Sequence, residues 1–110
     1  MGLGTVVVEE VSLAEVKEGL ANGSILVVDV REPDEFRAGH IPGSTLNALQ
    51  RFDPAALPRV PGKRVVLSCR TGKRTLTALA LAQAAGRDDV RAHFAGGMQA
   101  WVRAGEPVEV

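Results

Sequence analysis

Val65-Val66-Leu67-Ser68-Cys69-Arg70-Thr71-Gly72-Lys73-Arg74-Thr75 is the stretch on which the reading of this chain turns. Its first residues form a short apolar run rich in β-branched side chains, which is the pattern of a buried strand. Cys69 to Gly72 must then turn, and the alanine- and leucine-rich run from Lys73 to Ala85, stopped by Gly86, has the composition of a helix. A buried strand that passes through a tight loop into a helix is half of a βαβ unit, so the expectation is an α/β domain.

Working outward, the same alternation repeats. Further strands are expected at Thr5 to Glu9, Ile25 to Val30 and Val90 to Phe94, with a weaker one at Thr45 to Asn47. A helix is expected over residues 12 to 21, because Ser12 and Glu15 have capping-box spacing and Asn22-Gly23 is a usual stop. Pro33 begins a short acidic helix through Phe36 that yields to Gly39. Pro54, Pro58 and Pro61 hold the middle of the chain to brief helical turns, and a last helix runs around Met98 to Arg103. The expected architecture has three layers: a central, mostly parallel sheet of about five strands with helices on both faces. In such sheets reactive groups gather beyond the carboxyl ends of the strands. Two of those ends stand out, Asp29-Val30-Arg31 and Ser68-Cys69-Arg70.

Size and composition fit one such unit. The chain has 110 residues, 45% hydrophobic and 24% charged, as expected of a single globular domain spanning residues 1–110. Thirteen Lys and Arg balance thirteen Asp and Glu, so the molecule has no long-range positive field to draw it to nucleic acid. The apolar start stops at Glu9, and no apolar run approaches the about 18 residues that cross a bilayer. One cysteine cannot form an internal disulfide. The expectation is a cytoplasmic protein with no membrane partner. The charge is uneven, however: Lys63, Arg64, Arg70, Lys73 and Arg74 fall between residues 63 and 74, where there is no acid. A local anion site is expected there.

The position of Cys69 decides its chemistry. The first turn of a helix leaves backbone N–H groups unpaired, and these stabilise a neighbouring anion. A free cysteine ionises at about 8.5, whereas thiols at helix N-termini or beside cations fall to roughly 3.5–7.5. An unpaired cysteine at the end of an apolar strand is most often a small buried hydrophobe. Here three cations and a glycine follow it at once, and such charges are costly to bury without an anion to receive them. Cys69 is therefore the candidate nucleophile.

The motifs occur in an order that resembles the rhodanese homology family. Asp29-Val30-Arg31-Glu32-Pro33-Asp34-Glu35-Phe36 resembles its first signature and Gly39-His40-Ile41-Pro42-Gly43-Ser44 its second. Cys69-Arg70-Thr71-Gly72-Lys73-Arg74 resembles the active-site loop, and Gly96-Gly97 through Trp101 to Gly105-Glu106-Pro107 the closing signature. The resemblance implies a sulfurtransferase that moves a sulfane sulfur from a donor such as thiosulfate to a thiophilic acceptor, cyanide in vitro or a thiol in the cell. Cys69 would cycle between thiol and persulfide with ping-pong kinetics. Arg70 and Lys73 would attract the anionic donor, Thr71 and Gly72 would supply donors, and Arg74 would end the loop. Asp29 and Arg31 would brace it from the neighbouring strand end. His40, in its glycine-flanked turn, is expected to be structural, as are His93, Met98 and Trp101. The two histidines and Cys69 have no close metal-ligand spacing, so neither metal nor cofactor is expected.

Two other readings share these residues. Cysteine phosphatases and related arsenate reductases also surround an anion with a thiolate and an arginine, but with five residues between them. Four separate Cys69 from Arg74, a narrower cradle that suits one sulfur atom better than a phosphate. A relay or binding module, taking sulfur from a protein donor or passing it to a protein acceptor, would leave much the same sequence.

Overall fold

The computed structural model describes residues 5–110. Five strands, β1 (Glu9–Val11), β2 (Ile25–Asp29), β3 (Thr45–Leu46), β4 (Arg64–Ser68) and β5 (Ala92–Phe94), form one sheet in the order β1-β5-β4-β2-β3. Every strand pair in it is parallel. Four helices complete the architecture: α1 (Leu13–Asn22), α2 (Pro33–Ala38), α3 (Arg74–Ala84) and α4 (Gly97–Arg103). Single turns at Leu49–Arg51 and Pro54–Ala56 are all the helix that the proline-rich middle permits. The five-stranded α/β fold expected from the sequence is the fold observed. Among the described residues no helix is long and apolar enough to cross a membrane.

Alternation along the strands sends side chains to two separate cores. Val66 and Val27 belong to one, with Val16, Phe94, Met98 and Trp101. Val65, Leu67 and Cys69 belong to the other, with Val28, Val30, Ala78, Leu79 and Ala82. Each fully buried valine or leucine contributes about 1.5–3 kcal/mol. The period of two thus assigns the sulfur of Cys69 to the face that α3 covers. Met98 and Trp101 are core residues as expected, and Trp101 Nε1 donates to the Pro107 carbonyl at 2.7 Å.

The first strand lies further along than the valine run suggests. Val6 to Val8 are exposed, and the main chain of Val7 pairs with a side chain: its N–H donates to Gln83 Oε1 at 3.0 Å, and its carbonyl accepts from Gln83 Nε2 at 2.8 Å. The ladder starts only at Glu9, whose register partner is Ala92, because β5 itself begins there. Val90 is buried but precedes that strand, and the third strand stops at Leu46.

Register brings the two notable strand ends together. Asp29 lies beside Ser68, and the Val30 N–H donates to the Ser68 carbonyl at 2.9 Å. The carboxyl ends of β2 and β4 are therefore neighbours at the centre of the sheet.

Candidate active site

The loop after β4 curls over the start of α3, which has no side-chain cap. The Gly72 N–H donates to Cys69 Sγ at 3.1 Å, and the N–H groups of Thr71 and Thr75 also act on the sulfur. The Thr75 hydroxyl lies 3.9 Å from it. The sulfur takes the place that a capping oxygen holds at other helix starts. Cys69 is 1% exposed, and burial pushes its thiol up. The amides of Thr75, Gly72 and Thr71, with the Thr75 hydroxyl, outweigh that and leave it below its ordinary value.

The loop is held in this shape from behind. Gly72 has φ +87°, and a Cβ there would lie 2.5 Å from the Ala95 carbonyl oxygen, so both conformation and space require glycine. At the start of α4 the N–H groups of Met98 and Gln99 donate to the carbonyls of Cys69 and Arg70 at 2.9 and 3.1 Å. Gly97, with φ +60°, passes so close that a Cβ would be 2.4 Å from the Arg70 oxygen. Fixing those two carbonyls on α4 orients the peptides that follow, whose N–H groups turn toward the sulfur.

The cations divide into two kinds. Arg74 grips Glu35 of α2 with two hydrogen bonds, of 2.7 and 3.1 Å, and ties the loop helix to the segment after β2. This guanidinium holds the Glu35 carboxyl at about 2. The pKa of Arg74 is raised, first by Glu35 and further by the charges of Cys69 and Asp29. Arg70 and Lys73, in contrast, are exposed, and neither forms an ion pair among the described residues. Arg70 borders a cleft of about 530 Å³ with Arg31, Glu35, Met98, Gln99 and Arg103 on its walls. Lys73 and Cys69 are not among the wall residues.

Asp29 and Arg31 are 2% and 6% exposed and bond to each other, Arg31 Nη2 donating to Asp29 Oδ2 at 2.7 Å. Arg31 Nη2 also donates to the Gly39 carbonyl at 2.7 Å. Their hydrogen bonds secure the turn from β2 into α2, and Arg31 reaches the site only as a wall of the cleft. His40 Nδ1 is 2.8 Å from the Phe36 carbonyl, and its ring stacks on Phe36 with centroids 3.7 Å apart.

Three features of the site are missed by the linear reading. Glu35 was singled out only as part of a signature, and its partner Arg74 is 39 positions away. The amides of α4 carry no side-chain signal at all. Thr75 and His93 meet across the sheet face, Oγ1 to Nδ1 at 2.6 Å, and sequence offers no means of pairing them.

A sequence model of the Rhodanese-like domain matches residues 12–104. The human thiosulfate:glutathione sulfurtransferase is 34% identical over 106 residues, covering 84% of this chain and 91% of the human one. An uncharacterized Synechocystis protein is 39% identical over 84 residues, which cover 76% of this chain. This chain spans under half of that relative's length, 46%. Among solved structures, a human single-domain sulfurtransferase superimposes with a TM-score of 0.71 at 31% identity, covering 91% of this chain and 97% of the other. With the family model matched over most of its length and sulfurtransferase relatives at 31–34% identity, the chain belongs to the rhodanese-like domain family.

Proposed function

We propose that Cys69 accepts the sulfane sulfur of thiosulfate as a persulfide and passes it to a thiophilic acceptor. The observation that carries this reading is the Gly72 N–H donated at 3.1 Å to one buried sulfur, whose pKa the backbone amides of Thr75 and Thr71 lower as well. Such fixed donors stabilise negative charge wherever it develops on the transferred atom. The Cys69 thiolate attacks the outer sulfur of thiosulfate, the S–S bond breaks, and its electron pair leaves with sulfite. The persulfide anion then lies in the same cradle. Cyanide, or a cellular thiolate, attacks the outer sulfur, and Cys69 departs as thiolate to complete the ping-pong cycle.

The exposed Arg70 and Lys73 supply the attraction for a doubly charged donor, and the cleft beside Arg70 is the approach. Arg103 and Gln99 on its wall suit the carboxylates of a small acidic thiol as acceptor. Asp29, Arg31 and Arg74 hold the surrounding turns in place. A reducing compartment, the cytoplasm, keeps the lone thiol available for this chemistry.

The test is intact-mass measurement after incubation with thiosulfate. The expected result is a gain of one sulfur, reversed by cyanide with release of thiocyanate, and absent in Cys69→Ser. Loading only by a cysteine desulfurase would replace this reading with the protein-fed relay. Hydrolysis of an aryl phosphate without sulfur loading would replace it with a phosphatase.

A further inference from the structure

We propose that His93 is a positioning residue, which by holding Thr75 Oγ1 directs the hydroxyl proton of Thr75 onto the sulfur of Cys69. His93 lies on β5 and is 2% exposed, and Thr75, in the first turn of α3, is fully buried. Imidazole Nδ1 is 2.6 Å from Thr75 Oγ1, which lies 3.9 Å from Cys69 Sγ. The other ring nitrogen, Nε2, is buried without any partner among the described residues.

That orphan decides the tautomer. If Nε2 carried the proton, a donor would be buried with nothing to receive it, a rarer and costlier state than a buried lone pair. With the proton on Nδ1, the imidazole donates to Thr75 Oγ1. The single hydroxyl proton of Thr75 then has the sulfur as its acceptor. With Nδ1 donating into one lone pair of Oγ1, a thiol proton has only the second lone pair left to it, whereas a thiolate receives the hydroxyl proton outright. The two-link chain therefore favours the anion. On ionisation the thiol proton goes to solvent, and His93 and Thr75 keep theirs.

The neutral imidazole is consistent with its surroundings. On β1 its register partner is Glu10, on β4 Leu67, and from α3 it meets Thr75. Burial lowers the pKa of His93, with Glu10 opposing. The guanidinium of Arg74, whose charge acts with that of Cys69, is bonded to Glu35.

This inference concerns the ionisation of Cys69, and only its catalytic consequence rests on the proposed sulfur transfer. The chain contains one cysteine and no tyrosine, so the ultraviolet absorbance of the thiolate can be titrated without interference. His93→Phe and Thr75→Val are each expected to raise the thiol midpoint by about one pH unit, a tenfold loss of thiolate below it. His93→Asn keeps a donor near the Nδ1 position and restores most of the shift. The double variant is expected to add nothing to Thr75→Val alone. A midpoint unchanged in His93→Phe, with only its melting temperature lowered, overturns the proposal. If His93→Phe does not fold, nitrogen-15 NMR of the wild-type protein decides, the His93 signals being assigned by their absence from His93→Asn. An Nδ1–H imidazole is expected, and an Nε2–H imidazole overturns the assignment. Both measurements are made without a sulfur donor, so a wild-type protein that fails to load sulfur sinks the proposed function and leaves these outcomes readable.

Discussion

Helices α1 and α3 begin with the same physical problem and solve it in opposite ways. Each starts with backbone N–H groups that have no partner within the helix. In α1 the chain closes the gap locally: the Glu15 N–H donates to Ser12 Oγ at 3.1 Å, and the Ser12 N–H to Glu15 Oε1 at 2.9 Å. At α3 no side chain caps the start, and the Gly72 N–H just ahead of it donates to Cys69 Sγ, whose pKa the Thr75 and Thr71 amides also lower. The first arrangement consumes its donors and yields stability. The second leaves them facing one atom, so that any charge on that atom, or on a sulfur added to it, meets donors already in place. A reactive end is a capped end whose cap has been given chemistry.

That contrast can be broken most severely at Gly72. Gly72→Ala forces a Cβ to within 2.5 Å of the Ala95 oxygen at φ +87°, and the expected loss is about 3 kcal/mol in urea denaturation. The thiol midpoint should rise in the same variant. Unchanged stability with unchanged sulfur loading would mean that the loop does not depend on this close approach.

At α1 the expected effect is smaller and of another kind. Ser12→Ala should cost about 1 kcal/mol of stability and leave both the thiol midpoint and persulfide loading as in the wild type. A change in loading would break the separation between the two helix starts.

The smallest effect is expected at the strut between α2 and α3. Glu35→Gln keeps the acceptor that caps α2 but loses the ion pair to Arg74. Both side chains are about a third exposed, so solvent screening limits the loss to about 0.5 kcal/mol. Its pH dependence has a definite sign. Glu35 is lowered to about 2 in the folded protein, against about 4.3 when unfolded. Its contribution is therefore complete above about pH 4.3 and is lost as pH falls toward 2. Melting temperatures of wild type and Glu35→Gln should differ at pH 6 and converge on acidification; a constant difference would assign the effect to packing.

How much was legible follows the range of the interactions. The capping box of α1, the stop at Gly23, the strand before Cys69 and the helix after it were all visible, because each depends on neighbours within a few positions. The strand at Thr5 to Glu9 was misplaced because valine composition marks where a strand is favourable, whereas the partner decides where it forms. β5 offers pairing only from Ala92, and Val7 turns to Gln83 instead. Asp29 and Arg31 are expected from the sequence to brace the cysteine loop, but their hydrogen bonds go to each other and to Gly39. That target depends on how α2 folds back.

By itself the sequence determined the alternation of strand and helix, the single thiol at a strand end, and the glycine and cations that follow it. These are properties of consecutive residues, governed by local sterics and hydrophobic period. Only the tertiary structure decided that α4 pins the carbonyls of Cys69 and Arg70, that Glu35 takes Arg74 away from the pool of free cations, and that His93 reaches Thr75. Each of those contacts joins residues distant in the chain, and only packing of the helices onto a parallel sheet brings them within bonding distance.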